Sequence, residues 1–188
     1  YDDNFERFVF FQKTVVALLE VLDYRADIVH CNDWQTALIP LFLRHGIQGF
    51  GRAGRERTVM TIHNLAYQGI FPGSEFGLTN LPFSCFSVDG MEFYGQINCL
   101  KAGVLAADRI TTVSPTYADE IRTERHGYGL DGVLRRVADR LHGILNGADY
   151  ALWNPADDPH LPRRYTAEDV AAGQTAAKRA LLARVGAD

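Results

Sequence analysis

The chain has 188 residues, of which 47% are hydrophobic and 22% are charged, and its formal net charge is −4. This composition is typical of a globular protein with a substantial core, and it argues against a basic surface for nucleic acid. The one basic cluster, Arg52, Arg55 and Arg57, lies in a glycine-rich stretch that is interpreted as a solvated loop. No apolar run reaches about 18 residues, so no membrane span is expected, and no signal peptide is recognised.

The cysteine and histidine patterns give no sign of a metal or disulfide scaffold. Cys31, Cys85 and Cys99 are odd in number and include no CxxC pair, which fits a reducing cytosol. The histidines show no HExxH spacing, so no metal is predicted. The chain starts at Tyr1 without a methionine and stops just after a helical pattern, and we therefore expect a piece of a longer protein.

Helix and strand patterns alternate along the chain. Helices are predicted over residues 5–22, 35–45, 96–107, 114–122 and 133–140, and from about 166 to the end. Strands are predicted over residues 28–31, 58–62, 109–113 and 141–145. Because the strands are apolar rather than strictly alternating, the pattern predicts an α/β fold with a parallel sheet and helices on both faces. Residues 64–95 are rich in glycine and proline, and a loop region of this length is often functional.

Polar residues follow each predicted strand. The four strand ends are His30-Cys31-Asn32-Asp33-Trp34, His63-Asn64, Ser114-Pro115-Thr116 and Asn146-Gly147-Ala148-Asp149. In an open parallel sheet, ligands bind beyond the carboxyl ends of the strands. Carboxylates and amides for hydrogen bonds, with aromatic faces for the C–H surface of a sugar, suit a neutral ligand rich in hydroxyl groups.

Each of these residues also has a purely structural interpretation. Asp33 could cap the following helix, His63 could be a hydrogen-bonded core histidine, and Trp34 could belong to the core. Ser114-Pro115 is typical of a helix start, and Asn146-Gly147 of a turn. Only their common placement at one sheet edge favours a functional interpretation.

The segment Gly127-Tyr128-Gly129-Leu130-Asp131-Gly132 matches the letters G-x-G-x-x-G. A dinucleotide site needs a strand before this motif and a helix opening from it, whereas residues 117–125 have a helical pattern. We therefore reject a nucleotide cofactor site here.

Five segments occur in an order that resembles a known family: HCNDWQTALIP, TIHNLAYQGIFP, MEFYGQINCLKAGVLAADRITTVSPTYADEI, GYGLDG and ILNGADYALWNP. Together they resemble bacterial glycogen synthase and plant starch synthase, the ADP-glucose-dependent α-1,4-glucan synthases. The resemblance runs from about residue 26 to the end. It departs from the family at Asn32, where His is frequent, and at Gln96, where Lys is common.

The resemblance implies a GT-B fold, in which two Rossmann-like domains enclose the active site. Residues 1–165 would be part of the N-terminal, acceptor-side domain, and residues 166–188 a helix leading toward the C-terminal domain. The family's Lys-Thr-Gly-Gly loop and its C-terminal phosphate-binding groups have no counterpart in this sequence. We therefore expect residues 1–188 alone to be inactive.

The family's activity is retaining transfer of glucose from ADP-glucose to the non-reducing end of an α-glucan. By resemblance, His63 and Asp33 would be catalytic, and Asn146, Asn64, Trp34, Tyr67 and Gln68 would bind substrate. Asn64 and Gln68 would do so by shaping their loop. ADP-glucose and glycogen would be the partners, without a cofactor, in the cytoplasm of a bacterium or the plastid of a plant. A non-catalytic glucan-binding module and a UDP-sugar transferase of the same fold remain the alternatives.

Overall fold

The computed structural model describes residues 3–47 and 56–187, so Arg52 and Arg55 of the predicted basic loop lie outside the described residues. Contacts divide the chain into two compact units, Tyr1–Leu145 and Asn146–Asp188. The division predicted from the sequence lay after residue 165, and the assignment of its two parts to domains of a larger enzyme stays a prediction.

The elements are numbered here in chain order. The strands are β1 (Ile28–Asn32), β2 (Arg57–Ile62), β3 (Ile70–Pro72), β4 (Glu92–Phe93), β5 (Gln96–Asn98), β6 (Arg109–Thr112) and β7 (Leu141–Gly143). The α-helices are α1 (Asn4–Val21), α2 (Ile39–His45), α3 (Cys99–Ala106), α4 (Pro115–Glu120), α5 (Asp131–Arg136) and α6 (Val170–Val185). Short 3-10 helices lie at Trp34–Thr36, Gly73–Thr79, Phe83–Cys85 and Ala138–Arg140.

The central sheet has the strand order β1-β2-β6-β7, and every neighbouring pair is parallel. The prediction that the four apolar runs are parallel neighbours is therefore confirmed. Their carboxyl ends meet at one edge, as the site hypothesis requires. The last strand ends at Gly143 rather than at the predicted residue 145.

The two faces of the central sheet, which lies in the first unit, carry different kinds of side chain. Cys31, Met60 and Ile110 are in register on one face and are fully buried in the core. On the other face, the His30 imidazole lies 2.6 Å from the Thr61 hydroxyl, which lies 2.6 Å from the Thr111 hydroxyl. Side chains alternate between the faces of a strand, so His30, Thr61 and Thr111 share one face, opposite to that of the three buried apolar residues.

A second sheet was missed from the sequence. It is antiparallel with the order β3-β5-β4, and it lies within the region predicted as loop and helix. Residues Gln96–Asn98 were predicted to open a helix, but they pair with Ile70–Pro72 instead. The helix α3 begins only at Cys99, where the Asn98 side chain accepts a hydrogen bond from the Lys101 N–H at 2.9 Å.

The other helix predictions hold with changed bounds. The helix α1 is shifted by one residue, and the predicted helix 133–140 is divided into α5 and the 3-10 helix at Ala138–Arg140. The predicted helix 35–45 is divided into a 3-10 turn and α2, and the Leu38 N–H between them donates to the buried Gln12 side chain at 2.6 Å. Gly46, with φ 72°, ends α2 as expected. The Ser114 hydroxyl caps α4 by accepting from the Tyr117 N–H at 2.9 Å, which confirms the predicted helix start. The helix α6 begins at Val170 rather than near residue 166.

Candidate functional site

Asp33 ties together the carboxyl ends of β1 and β2. Its N–H donates to the Thr61 carbonyl at 2.9 Å, and its carboxylate Oδ1 accepts from the His63 N–H at 2.8 Å. Although Asp33 precedes a 3-10 helix, its side chain makes no capping bond to that helix, so the capping interpretation is wrong. Its backbone has φ 56° and ψ −176°, a region that is essentially reserved for glycine. A strained residue of this kind persists only where its surroundings hold it in place.

His63 follows β2 and its side chain is exposed, so the interpretation as a core histidine is wrong. Its Nε2 lies 3.1 Å from the Asn32 Oδ1 atom, at the end of the neighbouring strand. Asn32 was not assigned from the sequence, because it stands where the family often has histidine. Its position directly before Asp33 was the available signal. The structure therefore brings Asn32, Asp33 and His63 together at the sheet edge.

The loop after His63 is built by side-chain contacts to its own backbone. The Asn64 side-chain oxygen accepts from the Ala66 N–H at 3.0 Å, which forms a tight local turn. The Leu65 N–H donates to the Tyr117 hydroxyl at 3.0 Å, so α4 also fixes this loop. At its tip the Tyr67 side chain is 67% exposed. Asn64 therefore shapes the loop, and Tyr67 is presented to solvent.

Gln68 is buried rather than presented to a ligand, with only 5% exposure. Its Oε1 accepts from the Asn98 side chain at 2.6 Å, and its Nε2 donates to the Tyr128 carbonyl at 3.1 Å. Its own carbonyl accepts from the Leu100 N–H in the first turn of α3 at 3.0 Å. These contacts support the loop-shaping role expected for Gln68 and disfavour direct contact with a sugar. We call the buried side-chain pair Gln68–Asn98 the amide node.

Trp34 packs within the protein. Its ring centroid lies 4.8 Å from that of Phe8 and 5.4 Å from that of Phe71. Gly69 has φ +63°, and a Cβ atom there would lie 2.5 Å from the Trp34 ring. The loop after β2 thus lies directly on the residue that follows Asp33, and only glycine fits this approach. These contacts favour the core interpretation of Trp34, and its stacking on a glucan stays a prediction.

Asn146 is the first residue of the second unit, where it is exposed. The predicted contact of Asn146 with the same sugar as His63 stays a prediction.

A cavity of about 230 Å³ lies away from this edge, where α2 and α3 end. Arg44, His45 and Cys85 line it, and the Arg44 guanidinium donates to the Ala106 carbonyl, shortly before β6 begins. It therefore belongs to the amino edge of the sheet.

All three cysteines of the chain are reduced and buried, and burial raises the pKa of the Cys31 thiol to about 12. Over residues 3–47 and 56–187, no group of three or more His, Cys, Asp or Glu side chains is placed to hold a metal ion. In the same ranges no helix has both the length and the apolar character needed to cross a membrane.

Residues 1–136 match the family model described as the starch synthase catalytic domain. The chain belongs to this family. Similar curated proteins include glycogen synthase of Opitutus terrae, 52% identical over 99% of this chain and 38% of the relative. Glycogen synthase of Myxococcus xanthus is 50% identical over 99% of this chain and 39% of the relative. The chain thus spans about two fifths of the length of these relatives.

A solved starch synthase has the same fold over this region. The catalytic domain of starch synthase IV from Arabidopsis thaliana, bound to ADP and acarbose, is 35% identical with a TM-score of 0.78. The match covers 99% of this chain and 38% of that chain. The resemblance found in the sequence and the predicted Rossmann-like part of a GT-B starch synthase domain are therefore confirmed.

Proposed function

We propose that the complete enzyme transfers glucose from ADP-glucose to the non-reducing 4-hydroxyl of an α-1,4-glucan with retention. The observation that carries this proposal is the placement of an exposed His63 at the end of β2, with its N–H held by Asp33 and its ring held by Asn32. Membership of the starch synthase family and the ADP and acarbose held by starch synthase IV support the choice of substrates.

The geometry suits a sugar whose reacting carbon becomes positively charged. When the Asn32 Oδ1 accepts, the His63 Nε2 carries the proton and Nδ1 is left to accept from a sugar hydroxyl. The Asp33 Oδ1 is used by the His63 N–H, which leaves Oδ2 to accept from a second hydroxyl. The carboxylate charge also stabilises an oxocarbenium-like transition state nearby. Positioning and electrostatics are thus the contributions of this edge.

The test is incorporation of labelled glucose into glycogen by the complete enzyme, with ADP-glucose and UDP-glucose compared in parallel. We expect ADP-glucose to be preferred, and His63→Ala to lower kcat by roughly 100-fold or more while glycogen affinity changes little. His45→Ala is the matched control, because His45 is also exposed but lines the cavity at the amino edge of the sheet.

Three results would contradict parts of the proposal. Preference for UDP-glucose would refute the donor. Glycogen binding without any transfer would favour the non-catalytic glucan-binding module. Normal turnover of His63→Ala with lost glycogen binding would move His63 from the reaction to acceptor recognition.

A further inference from the structure

Two Tyr-Gly pairs adopt the same unusual backbone conformation. Tyr94 and Gly95 have φ values of 52° and 80°, and Tyr128 and Gly129 have φ values of 48° and 81°. Tyr94 and Gly95 connect β4 to β5, as in a two-residue hairpin whose first position normally holds Asn, Asp or Gly. A tyrosine is disfavoured at positive φ because its Cβ crowds the backbone.

Burial of the tyrosine side chains does not offset this backbone strain. Tyr94 is 84% exposed and Tyr128 is 60% exposed. A large side chain that is held in a strained backbone and extends into solvent is better explained by what it contacts outside the fold than by folding itself.

The two turns are joined to one another. The Phe93 ring meets the Tyr94 ring edge-on, with their centroids 4.8 Å apart. The same Phe93 ring lies against Gly129, where a Cβ atom would approach to 3.1 Å. Phe93 therefore holds the turn that carries Tyr94 beside the turn that carries Tyr128.

Both turns are also fastened to the fold. The Gly95 N–H donates to the Glu92 carboxylate at 2.7 Å, and the Tyr128 carbonyl accepts from Gln68 in the amide node. Gln68 follows Tyr67, the exposed tyrosine on the loop that begins at His63. The amide node thus connects Tyr128 to the loop at the proposed reaction site, and Phe93 connects it to Tyr94. Tyr67, Tyr94 and Tyr128 thus supply exposed aromatic surface on segments that these contacts tie together.

The chemistry of this surface suits a neutral sugar chain. Residues 93–96 and 127–130 contain no Lys, Arg or His, so they offer no side-chain cation to a phosphate. Aromatic faces cover the C–H surface of sugar rings, and tyrosine loses little conformational entropy when it binds. Continuity with the His63 loop favours the acceptor glucan over an unrelated partner.

We propose that Tyr94 and Tyr128 form a stacking subsite for glucose units of the acceptor glucan that lie beyond its reacting end. The inference rests on the proposed glucan synthase activity, because that activity supplies the acceptor. It also gives a role to the Gly127–Gly132 segment, for which a nucleotide site was rejected. Gly129 permits the turn and the close approach of Phe93.

The test uses the complete enzyme with Tyr94→Asn, Tyr128→Asn and both together. Asn adopts positive φ more readily than Tyr, so these variants should keep or raise the melting temperature. Calorimetry without any donor sugar then measures the binding of maltoheptaose and maltotriose. We expect the double variant to weaken maltoheptaose binding by about tenfold and to change maltotriose binding by less than about twofold. Tyr94→Phe and Tyr128→Phe, which keep the ring, should bind nearly as the wild type does.

Tyr24→Asn is the matched control, since Tyr24 is also exposed but precedes β1 at the opposite end of that strand. Unchanged maltoheptaose binding in the double variant would overturn the subsite. Equal losses for maltotriose would also overturn it, because they would place the rings at the reacting end. An equal loss in Tyr24→Asn would attribute the effect to general destabilisation and overturn it as well. A wild-type enzyme that binds maltoheptaose through these tyrosines but transfers no glucose would refute the proposed activity and support the subsite.

Discussion

Replacing Asp33 by glycine has two opposing effects on the stability of the fold: it removes a hydrogen bond and relieves backbone strain. The change removes the carboxylate that accepts from the His63 N–H at 2.8 Å, a charge-assisted bond worth about 1.5–3 kcal/mol. It also relieves a backbone at φ 56° and ψ −176°, where strain costs about 1–3 kcal/mol. Because the two effects nearly cancel, we expect the free energy of unfolding of Asp33→Gly to stay within about 1.5 kcal/mol of the wild type.

Asp33→Ala should behave differently, since it loses the hydrogen bond and keeps the strain. We expect it to lower the free energy of unfolding by roughly 2–3 kcal/mol. Both variants release His63 from its fixed position, and a displacement of about 1 Å at a reacting centre lowers the rate roughly 100-fold. Urea denaturation gives the stabilities of the complete enzyme, and initial rates of glucose transfer give the activities.

Asp23→Gly is the matched control, because Asp23 also has positive φ, at 44°, but lies before β1. We expect it to keep the wild-type rate and to change the free energy of unfolding by less than about 1 kcal/mol, since it relieves the backbone but gives up the exposed ion pair with Arg25. Equal stability of Asp33→Ala and Asp33→Gly would show that the backbone at residue 33 stores no strain. Wild-type turnover in Asp33→Gly would show that the carboxylate is not needed to place His63.

Three further substitutions test the supports of the site and of the sheet by urea denaturation. Gly69→Ala should cost about 3 kcal/mol, because its φ is +63° and its Cβ would meet the Trp34 ring; a loss below about 1 kcal/mol would contradict this close approach. Gln68→Met should cost roughly 2–4 kcal/mol, since the Asn98 amide loses its buried acceptor, and unchanged stability would contradict the amide node. Hydrogen bonds from Thr58 and Arg57 outweigh desolvation and hold the pKa of Asp108 below the ordinary value of an aspartate. The stabilisation by Asp108 is therefore present above this value and lost as the pH falls through the lowered pKa, so Asp108→Asn should destabilise at pH 7 and much less at pH 2; an equal effect at both values would contradict the linkage.

The central sheet could be predicted because its signal is local. Four apolar runs bounded by polar residues mark buried parallel strands, and the helical patterns between them supply the crossovers. The antiparallel sheet could not be predicted in this way, since β5 pairs with the two-residue strand β4 and with β3, which lies far from it in the sequence. Residues Gln96–Asn98 precede a strong helical pattern, and tertiary pairing overrides that pattern.

The site was predictable as a meeting of strand ends but not in its contacts. The rule for parallel sheets places Asp33 near His63, yet the sequence suggests a helix cap for Asp33 and not an acceptor for a backbone N–H on the next strand. Gln68 looks like a solvent-facing loop residue because glutamine is mostly exposed. Its burial depends on partners 30 and 60 residues away, and no local pattern encodes them.

These contacts also decide whether the helix N-termini at this edge are free to bind an anion. The first N–H groups of α3 donate to the Gly69 and Gln68 carbonyls and to the Asn98 side chain, and the Tyr117 N–H of α4 donates to Ser114. Helix N-termini attract anions only when such N–H groups point outward. Here two N–H groups of α3 hold the loop that carries Tyr67, and the Tyr117 N–H of α4 is used by its own cap. Internal use of these donors keeps the His63 loop rigid. In the proposed reaction, the negative charge of a departing diphosphate would therefore be met by groups other than the first turn of α3, where the N–H groups of Cys99, Leu100 and Lys101 are already used.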